Sequence, residues 1–221
     1  MSHVTFKQVQ NHAEIKTYIQ KADEALEKQG YTEHSFAHVT KVAETAKDLL
    51  IRLGYSEREA ELAQIAGFLH DIGNVINRVD HAQSSAVMAF RILDRMKMPP
   101  DEVATVIAAI GNHDEETAFA VSPIAAALIL ADKSDVRRTR VRNRDFATFD
   151  IHDRVNYAVE DSRLILDADT RSITLDLKID TKICSVVDYF EIFLNRMLLC
   201  RRAADFLECQ FRLNVNGTAL L

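Results

Sequence analysis

Turn-forming residues are rare in this chain. Its 221 residues include only 6 Gly and 3 Pro. That is too few for a fibrous or low-complexity protein, and a chain so poor in breakers spends its length in helices. Cysteine is scarce too. Cys184, Cys200 and Cys209 are odd in number, lie near the C-terminus and show no metal-ligand or redox spacing. They read as free thiols of a reducing compartment. The opening stretch MSHVTFKQVQNHAEI has no basic run followed by an apolar one, so no signal peptide is expected. The longest nearly apolar stretch, Ala118 to Ala131, contains Ser122 and Pro123 and falls short of the roughly 20 residues of a membrane span. Basic excess is also missing. Lys and Arg number 27 against 33 Asp and Glu, a formal charge of −6. This balance argues against a nucleic-acid partner or an anionic membrane. A soluble, cytoplasmic protein is expected.

What the chain does have is 48% hydrophobic residues, enough to bury a core and escape disorder. Its length allows one large domain, or one plus a small appendage. Helical periodicity dominates residues 12 to 135. Candidate helices run from about Ala13 to Gln29 and from about Thr32 to Leu53, closed by Gly30 and Gly54. A third begins at the cap Ser56 and ends at Gly73, and a fourth spans about His81 to Met96. A fifth is capped by Asp101 and ends at Gly111, and a sixth starts near Ser122 and Pro123. Near residue 145 the pattern changes. Residues 151 to 161 suit a short helix or a strand. Ser162 to Leu166 and Ser172 to Ile179 alternate as strands around a turn, residues 183 to 207 are helical, and Phe211 to Val215 is a last strand. The expected architecture is mainly α. A helical bundle over 1–150 precedes a small C-terminal α+β unit over 151–221, an antiparallel sheet plus a helix.

Ionisable residues fall on the apolar faces of these helices. His38 shares a face with Val42 and Ala46, His70 with Ala66 and Leu62, and His113 with Val106 and Ile110. Asp132 follows Leu128 by four, and His81 opens a helix whose same-side neighbours are Ser84, Ser85, Met88 and Ala89. One such histidine is usually a hydrogen-bonded core residue. A buried carboxylate such as Asp132 is costly unless paired or metal-bound. Neutral imidazoles together with carboxylates that balance charge are what a divalent metal needs. His70 and Asp71, adjacent on a helix, diverge by about 100°, so the carboxylate could bridge to a second metal.

The order and context of these residues are specific: His38 in HVTKVAETA, His70-Asp71 in AGFLHDIGN, and Asp132 in LILADKSD. This resembles the HD-domain metal-dependent phosphohydrolase superfamily over residues 34 to 135. His81 in DHAQSSAVMAFRIL and His113 in IAAIGNHDEE look like the extra histidines of its dinuclear subgroups. The resemblance implies that His38, His70, Asp71 and Asp132 hold one metal and that Asp71, His81 and His113 hold the other, with Asp71 as the bridge. Two divalent ions are implied, drawn from Fe, Mn, Co, Ni or Zn. Asp114 stands where some members carry a further His. EETAFAV follows it, not the Gly-Tyr-Pro signature of the cyclic-dinucleotide group. The implied activity is cleavage of a phosphoester or phosphoanhydride in a small phosphorylated molecule or nucleotide. The same ligand set also resembles the mixed-valent di-iron oxygenases of the superfamily, and a regulatory nucleotide-binding module is the non-enzymatic alternative.

Residues 133 to 144, KSDVRRTRVRNR, carry six basic residues against Asp135. Such a run is commonly a solvated face. Because it starts beside Asp132, it also reads as a phosphate-binding lip, since arginine forks match phosphate oxygens. Asp71 and Lys133 are the candidate catalytic residues. Arg78, Lys133, Arg137 and Arg138 are the candidate substrate contacts. The C-terminal unit shows no catalytic constellation, its helix with Phe190, Phe193 and Met197 reads as core, and it is expected to dimerise the chain or cover the metal cleft. His34 is expected behind the ligands or exposed. His152, Asp153 and Arg154 read as turn residues, with substrate contact as the other reading.

Overall fold

The computed structural model describes residues 3–220. The chain opens with a short helix α1 (Phe6–Asn11), which the periodicity did not reveal, and α2 (Ala13–Lys28). Next come α3 (Phe36–Arg52), α4 (Glu57–Leu69), α5 (His81–Arg95), α6 (Pro100–Gly111) and α7 (Pro123–Lys133). Then follow α8 (Ile151–Ala158), strands β1 (Val159–Asp167) and β2 (Ser172–Ile179), α9 (Val186–Phe206), and strands β3 (Gln210–Val215) and β4 (Thr218–Ala219). Caps set several of these ends. Ser56 and Glu59 form a reciprocal capping box at α4, as do Ser185 and Asp188 at α9. No helix among the described residues is long and apolar enough to cross a membrane.

Several expected boundaries move. Helix α3 starts at Phe36, not Thr32, because Ser35 is the residue whose side chain accepts from a first-turn amide, that of Ala37. Pro99, not Asp101, is the cap residue of α6, and Asp101 sits in the first turn, where its charge suits the helix dipole. Helix α4 stops at Leu69, with His70 as its C-cap residue. Gly73 lies beyond it in a 3-10 turn, Ile72–Val75. The reason for Gly73 is close approach. A Cβ there would come within 2.4 Å of His81 O and of Ser85 N, so only glycine lets this turn press against the start of α5.

Helix α4 lies at the centre, buried along nearly its whole length between α3, α6 and α7. At Gly67 a Cβ would meet the Ala43 backbone at 2.8 Å, so α3 and α4 approach as closely as a glycine permits. Apolar burial of this kind is the dominant stabilising contribution. In the C-terminal unit the strand order is β1-β2-β3-β4. The β1–β2 pair is antiparallel, as expected, and so is the pair of β3 with β4, a short strand that the sequence did not reveal. The β2–β3 pair is parallel, so the sheet is mixed. The correction follows from α9, which crosses over between those strands and returns the chain in the same direction. Helix α9 also packs on α7, and residues of both belong to one continuous apolar cluster.

Candidate metal centre

The tertiary fold gathers six side chains from five separate stretches. His38 comes from the first turn of α3, His70 caps α4, and Asp71 precedes the 3-10 turn. His81 opens α5, His113 follows α6, and Asp132 is next to last in α7. All but His38 stand at or just beyond a helix end. The four histidines and Asp71 are buried, and the Asp132 side chain is 12% exposed.

The two oxygens of Asp71 face different partners. Oδ2 lies 3.1 Å from His70 Nε2 and 3.6 Å from His38 Nε2. Oδ1 lies 3.5 Å from His81 Nε2. Asp132 Oδ1 completes the first side, 3.4 Å from His38 Nε2 and 3.7 Å from His70 Nε2. His113 stands between the two, its ring centroid 5.1 Å from that of His81 and 5.0 Å from that of His70, and it forms one candidate ligand triad with Asp71 and His81 and another with His70 and Asp132. Donors bonded at roughly 2.0–2.2 Å to one ion lie about 3.0–3.5 Å apart, so these spacings suit shared ions. His70 and Asp71 therefore do not diverge along a helix as expected. Asp71 has left the helix, with φ −106° and ψ 1°, and this places its carboxylate between the two sides.

The opposite ring nitrogens are all occupied. His38 Nδ1–H donates to Asp135 Oδ2 (2.8 Å), His70 Nδ1–H to Gly67 O (2.7 Å), His81 Nδ1–H to Arg78 O (3.0 Å) and His113 Nδ1–H to Ile110 O (2.6 Å). Carbonyl and carboxylate oxygens only accept, so each Nδ1 carries a proton, and in the neutral ring each Nε2 presents a lone pair. His38 Nε2 and His70 Nε2 are buried with no hydrogen-bond partner. A buried acceptor left unpaired costs about 1–3 kcal/mol. A coordinated ion removes that cost, and the carboxylate or carbonyl behind each ring is the usual support of a ligating histidine. The residues present thus fit a divalent metal.

The electrostatics agree. Burial disfavours the charged form of Asp71, but His70 beside it outweighs this and holds the carboxyl well below its usual range. Asp132 is likewise held well below, against its own burial, chiefly by Lys133. Burial, then the neighbouring His70, pushes His113 well below the ordinary histidine value, keeping it neutral and able to ligate.

Asp135, counted in the sequence only as the one acid in a basic run, is a central support. Its buried carboxylate takes His38, Lys41 Nζ (2.8 Å) and Arg137 Nε (2.8 Å). Its position one helical turn after Asp132 was the available signal. Much of the basic run, expected as a phosphate-binding lip, is engaged by other protein groups. Arg137 is paired with Asp135 and Glu33. Arg138 donates to Tyr157 O (2.7 Å) and lies over the Tyr157 ring. Arg142 is paired with Asp23. Arg140 is buried, its fork spent on the carbonyls of Glu33 and Asp135. These arginines fasten α2, the segment before α3 and α8 around the centre. Neither Arg137 nor Arg138 lines the cavity that opens on the ligands, whereas Lys133 and Arg78 do. Lys133 Nζ sits 2.6 Å from Asp132 Oδ2, and Arg78 Nη1 sits 3.9 Å from Asp71 Oδ1.

That cavity measures about 430 Å³, within the usual range of small-molecule sites. Asp71, His81, His113 and Asp132 form part of its lining. His34 lines it as well, its Nδ1–H donating to Thr32 O (2.7 Å), one helical turn before His38. His152 and Asp153 line it, while Arg154 is exposed and stands apart. Asp114 lies at the edge of the cluster, 4.0 Å from His81 Nε2. Other lining residues escaped the sequence reading, among them four from the C-terminal part of the chain. Asp150 caps α8 and Asn156 lies in its last turn, and Phe193 and Arg196 reach in from α9. The first two carry no motif, and the apolar phase of α9 concealed the others.

A family model, HD domain, matches residues 35–161, which is more than half of the chain and runs past residue 150 into β1. No curated protein matches. Among solved structures, a predicted HD superfamily hydrolase from an uncultured Thermotogales bacterium is similar, with 28% identity and a TM-score of 0.45. The match covers 56% of this chain and 67% of that one.

Proposed function

The chain belongs to the HD domain family, and from this and the geometry of the centre we propose that it is a metal-dependent phosphohydrolase. It holds two divalent ions and cleaves a phosphoester or phosphoanhydride of a small phosphorylated molecule, such as a nucleotide. One observation carries the reading. The two oxygens of Asp71 face separate histidines, one side containing two buried Nε2 atoms that have no partner. His38, His70, Asp71 and Asp132 would hold the first ion, and Asp71, His81 and His113 the second. Ions so held supply a water acidified enough to attack near neutral pH and stabilise charge on phosphoryl oxygens.

The protein's own groups do the rest. Lys133, fixed by Asp132, and Arg78, beside Asp71 and His81, face the same cavity and bind developing negative charge there. His38 is held in register by Asp135, and His70, His81 and His113 by backbone carbonyls, so the ligand atoms need little reorganisation. The cavity is concave and lined largely by polar groups, as suits a hydrophilic substrate.

The test is elemental analysis of protein purified without added metal, followed by a phosphoester and nucleotide hydrolysis panel run in air and without oxygen. Two metals per chain and phosphate release under both conditions are expected. Turnover that requires oxygen and reduced iron would replace this reading with the oxygenase one. Nucleotide binding without metal would make the chain a regulatory module. Hydrolysis at the wild-type rate by a His70→Ala/Asp71→Ala double variant would place the chemistry elsewhere.

A further inference from the structure

Helix α9 belongs to the C-terminal unit, yet it sends one cation into the cavity of the metal centre. Arg196 lines that cavity beside Phe193. Two contacts fix its guanidinium. Nε is bonded to Glu115 Oε1 at 2.5 Å. The guanidinium carbon lies 4.3 Å from the centroid of the Phe193 ring. The side chain is 22% exposed, so it is confined but reachable from solvent. Glu115 lies two residues beyond the ligand His113, so the pair ties α9 to the loop that carries the metal site. Burial alone would lower the arginine's pKa, but Glu115 outweighs it and the group stays charged.

The decisive feature is what remains unused. Among the described residues, the hydrogen bond and ion pair of Arg196 go through Nε to Glu115. Its two terminal amino groups make no hydrogen bond to the described residues. The other cations of the lining are differently employed. Arg140 is spent on carbonyls, Lys133 is paired with Asp132, and Arg78 stands beside Asp71 and His81. Among the described residues no ion pair joins Arg196 to Asp71 or Asp132, so its terminal amino groups are not committed to the carboxylates of the centre. A guanidinium held over an aromatic ring, with Nε pinned and the terminal amino groups free, is placed to make two parallel bonds to a carboxylate or phosphate.

We propose that Arg196 is a specificity-determining residue that binds a second anionic group of the substrate, separate from the phosphoryl group at the metals. The inference rests on the phosphohydrolase reading and narrows it to substrates bearing two anionic groups. Phosphate and carboxylate share the required chemistry. Glu115 is then a positioning residue, acting through Arg196.

The experiment compares matched ligands on the metal-loaded protein. One pair is a nucleoside 5′-monophosphate and the 3′,5′-bisphosphate. The other is glycerol 3-phosphate and 3-phosphoglycerate. KM is read where phosphate is released, and a calorimetric Kd where it is not. Wild type should favour the doubly anionic member of at least one pair. Arg196→Gln should reduce that preference about tenfold, Arg196→Lys by a smaller factor, and Glu115→Gln in the same direction. The pair that responds tells phosphate from carboxylate. Metal content and melting temperature are measured on each variant, and Arg196→Lys, which keeps the charge, answers the question if Arg196→Gln does not fold. Equal weakening of both members of each pair, or an unchanged ratio in both pairs, overturns the proposal. Absence of phosphate release with the affinity ratios intact would instead refute the phosphohydrolase reading alone.

Discussion

Replacing Gly73 with alanine tests how the fold sets the second side of the metal centre. The added Cβ would lie 2.4 Å from His81 O, 2.4 Å from Ser85 N and 2.8 Å from Ser85 Oγ. Two of these are backbone atoms of α5, so no rotamer change relieves the contact and either the turn or the helix must move. Moving either also stretches the bond from Gly73 N to Ser85 Oγ, 2.8 Å in the native chain. Overpacking costs about 1–3 kcal/mol and a lost buried hydrogen bond about 1 kcal/mol more. The expected loss is therefore about 2–4 kcal/mol, which at this chain length lowers the melting temperature by roughly 4–16 °C. Because His81 is the first residue of α5, the same displacement separates it from Asp71 Oδ1, now 3.5 Å away. Metal titration should then show the weaker ion lost before the stronger one. Gly111→Ala is the internal control, since its Cβ would meet only Ala86 Cβ at an ordinary 3.7 Å. It should be neutral, or stabilising by up to about 1 kcal/mol. A Gly73→Ala protein that melts within about 2 °C of wild type and titrates metal identically would refute the reasoning.

Other outcomes follow from the same geometry. Asp71→Asn removes the charge shared by both sides, and elemental analysis should show both metals lost together, with hydrolysis. Asp135→Asn leaves the ligands in place but weakens the hold on His38, and metal affinity by chelator competition should fall about 10–100-fold. Arg137→Gln should act through Asp135, shifting that same metal affinity and leaving KM alone. A raised KM with normal metal binding would restore Arg137 as a substrate contact. For the metal-free protein, burial holds His113 and His34 neutral, well below the usual 6.5. The unfolded chain takes up those protons first, so stability should fall as pH drops below about 6.5. The depressed carboxyls of Asp71 and Asp132 add a further loss at still lower pH, below their unfolded value of 3.8. His70, raised by Asp71 against its own burial, works the other way and loses its contribution as pH rises. Melting temperatures of the apo-protein should still be lower at pH 5.5 than at 7.5, and His113→Asn should flatten the slope.

The candidate ligand residues were legible because burying an ionisable group breaks a rule that the neighbouring sequence keeps. His38, His70, His113 and Asp132 sit in phase with alanines, valines and leucines, and that conflict is visible one helix at a time. The basic run shows the opposite case. Charge density marked residues 133 to 144 as notable, but whether an arginine meets a substrate or another protein group depends on its partners. Those partners, Asp23, Glu33 and Tyr157, lie in α2, before α3 and in α8, far along the chain.

By itself, then, the sequence determined the helical register, the caps at Ser56 and Ser122, the β-β-α-β order of the C-terminal unit and the set of residues able to hold metal. These depend on periodicity and local hydrogen bonding, which act over a few residues. Only the tertiary structure decided that Asp71 leaves its helix to stand between two groups of histidines, and that Gly73 is a contact rather than a helix end. Only it decided that β2 and β3 run parallel, and that Arg196 enters the cavity from a helix that otherwise reads as core. Each of these depends on which distant segments meet, and side-chain chemistry is satisfied by whatever neighbour the packing brings within a few ångströms.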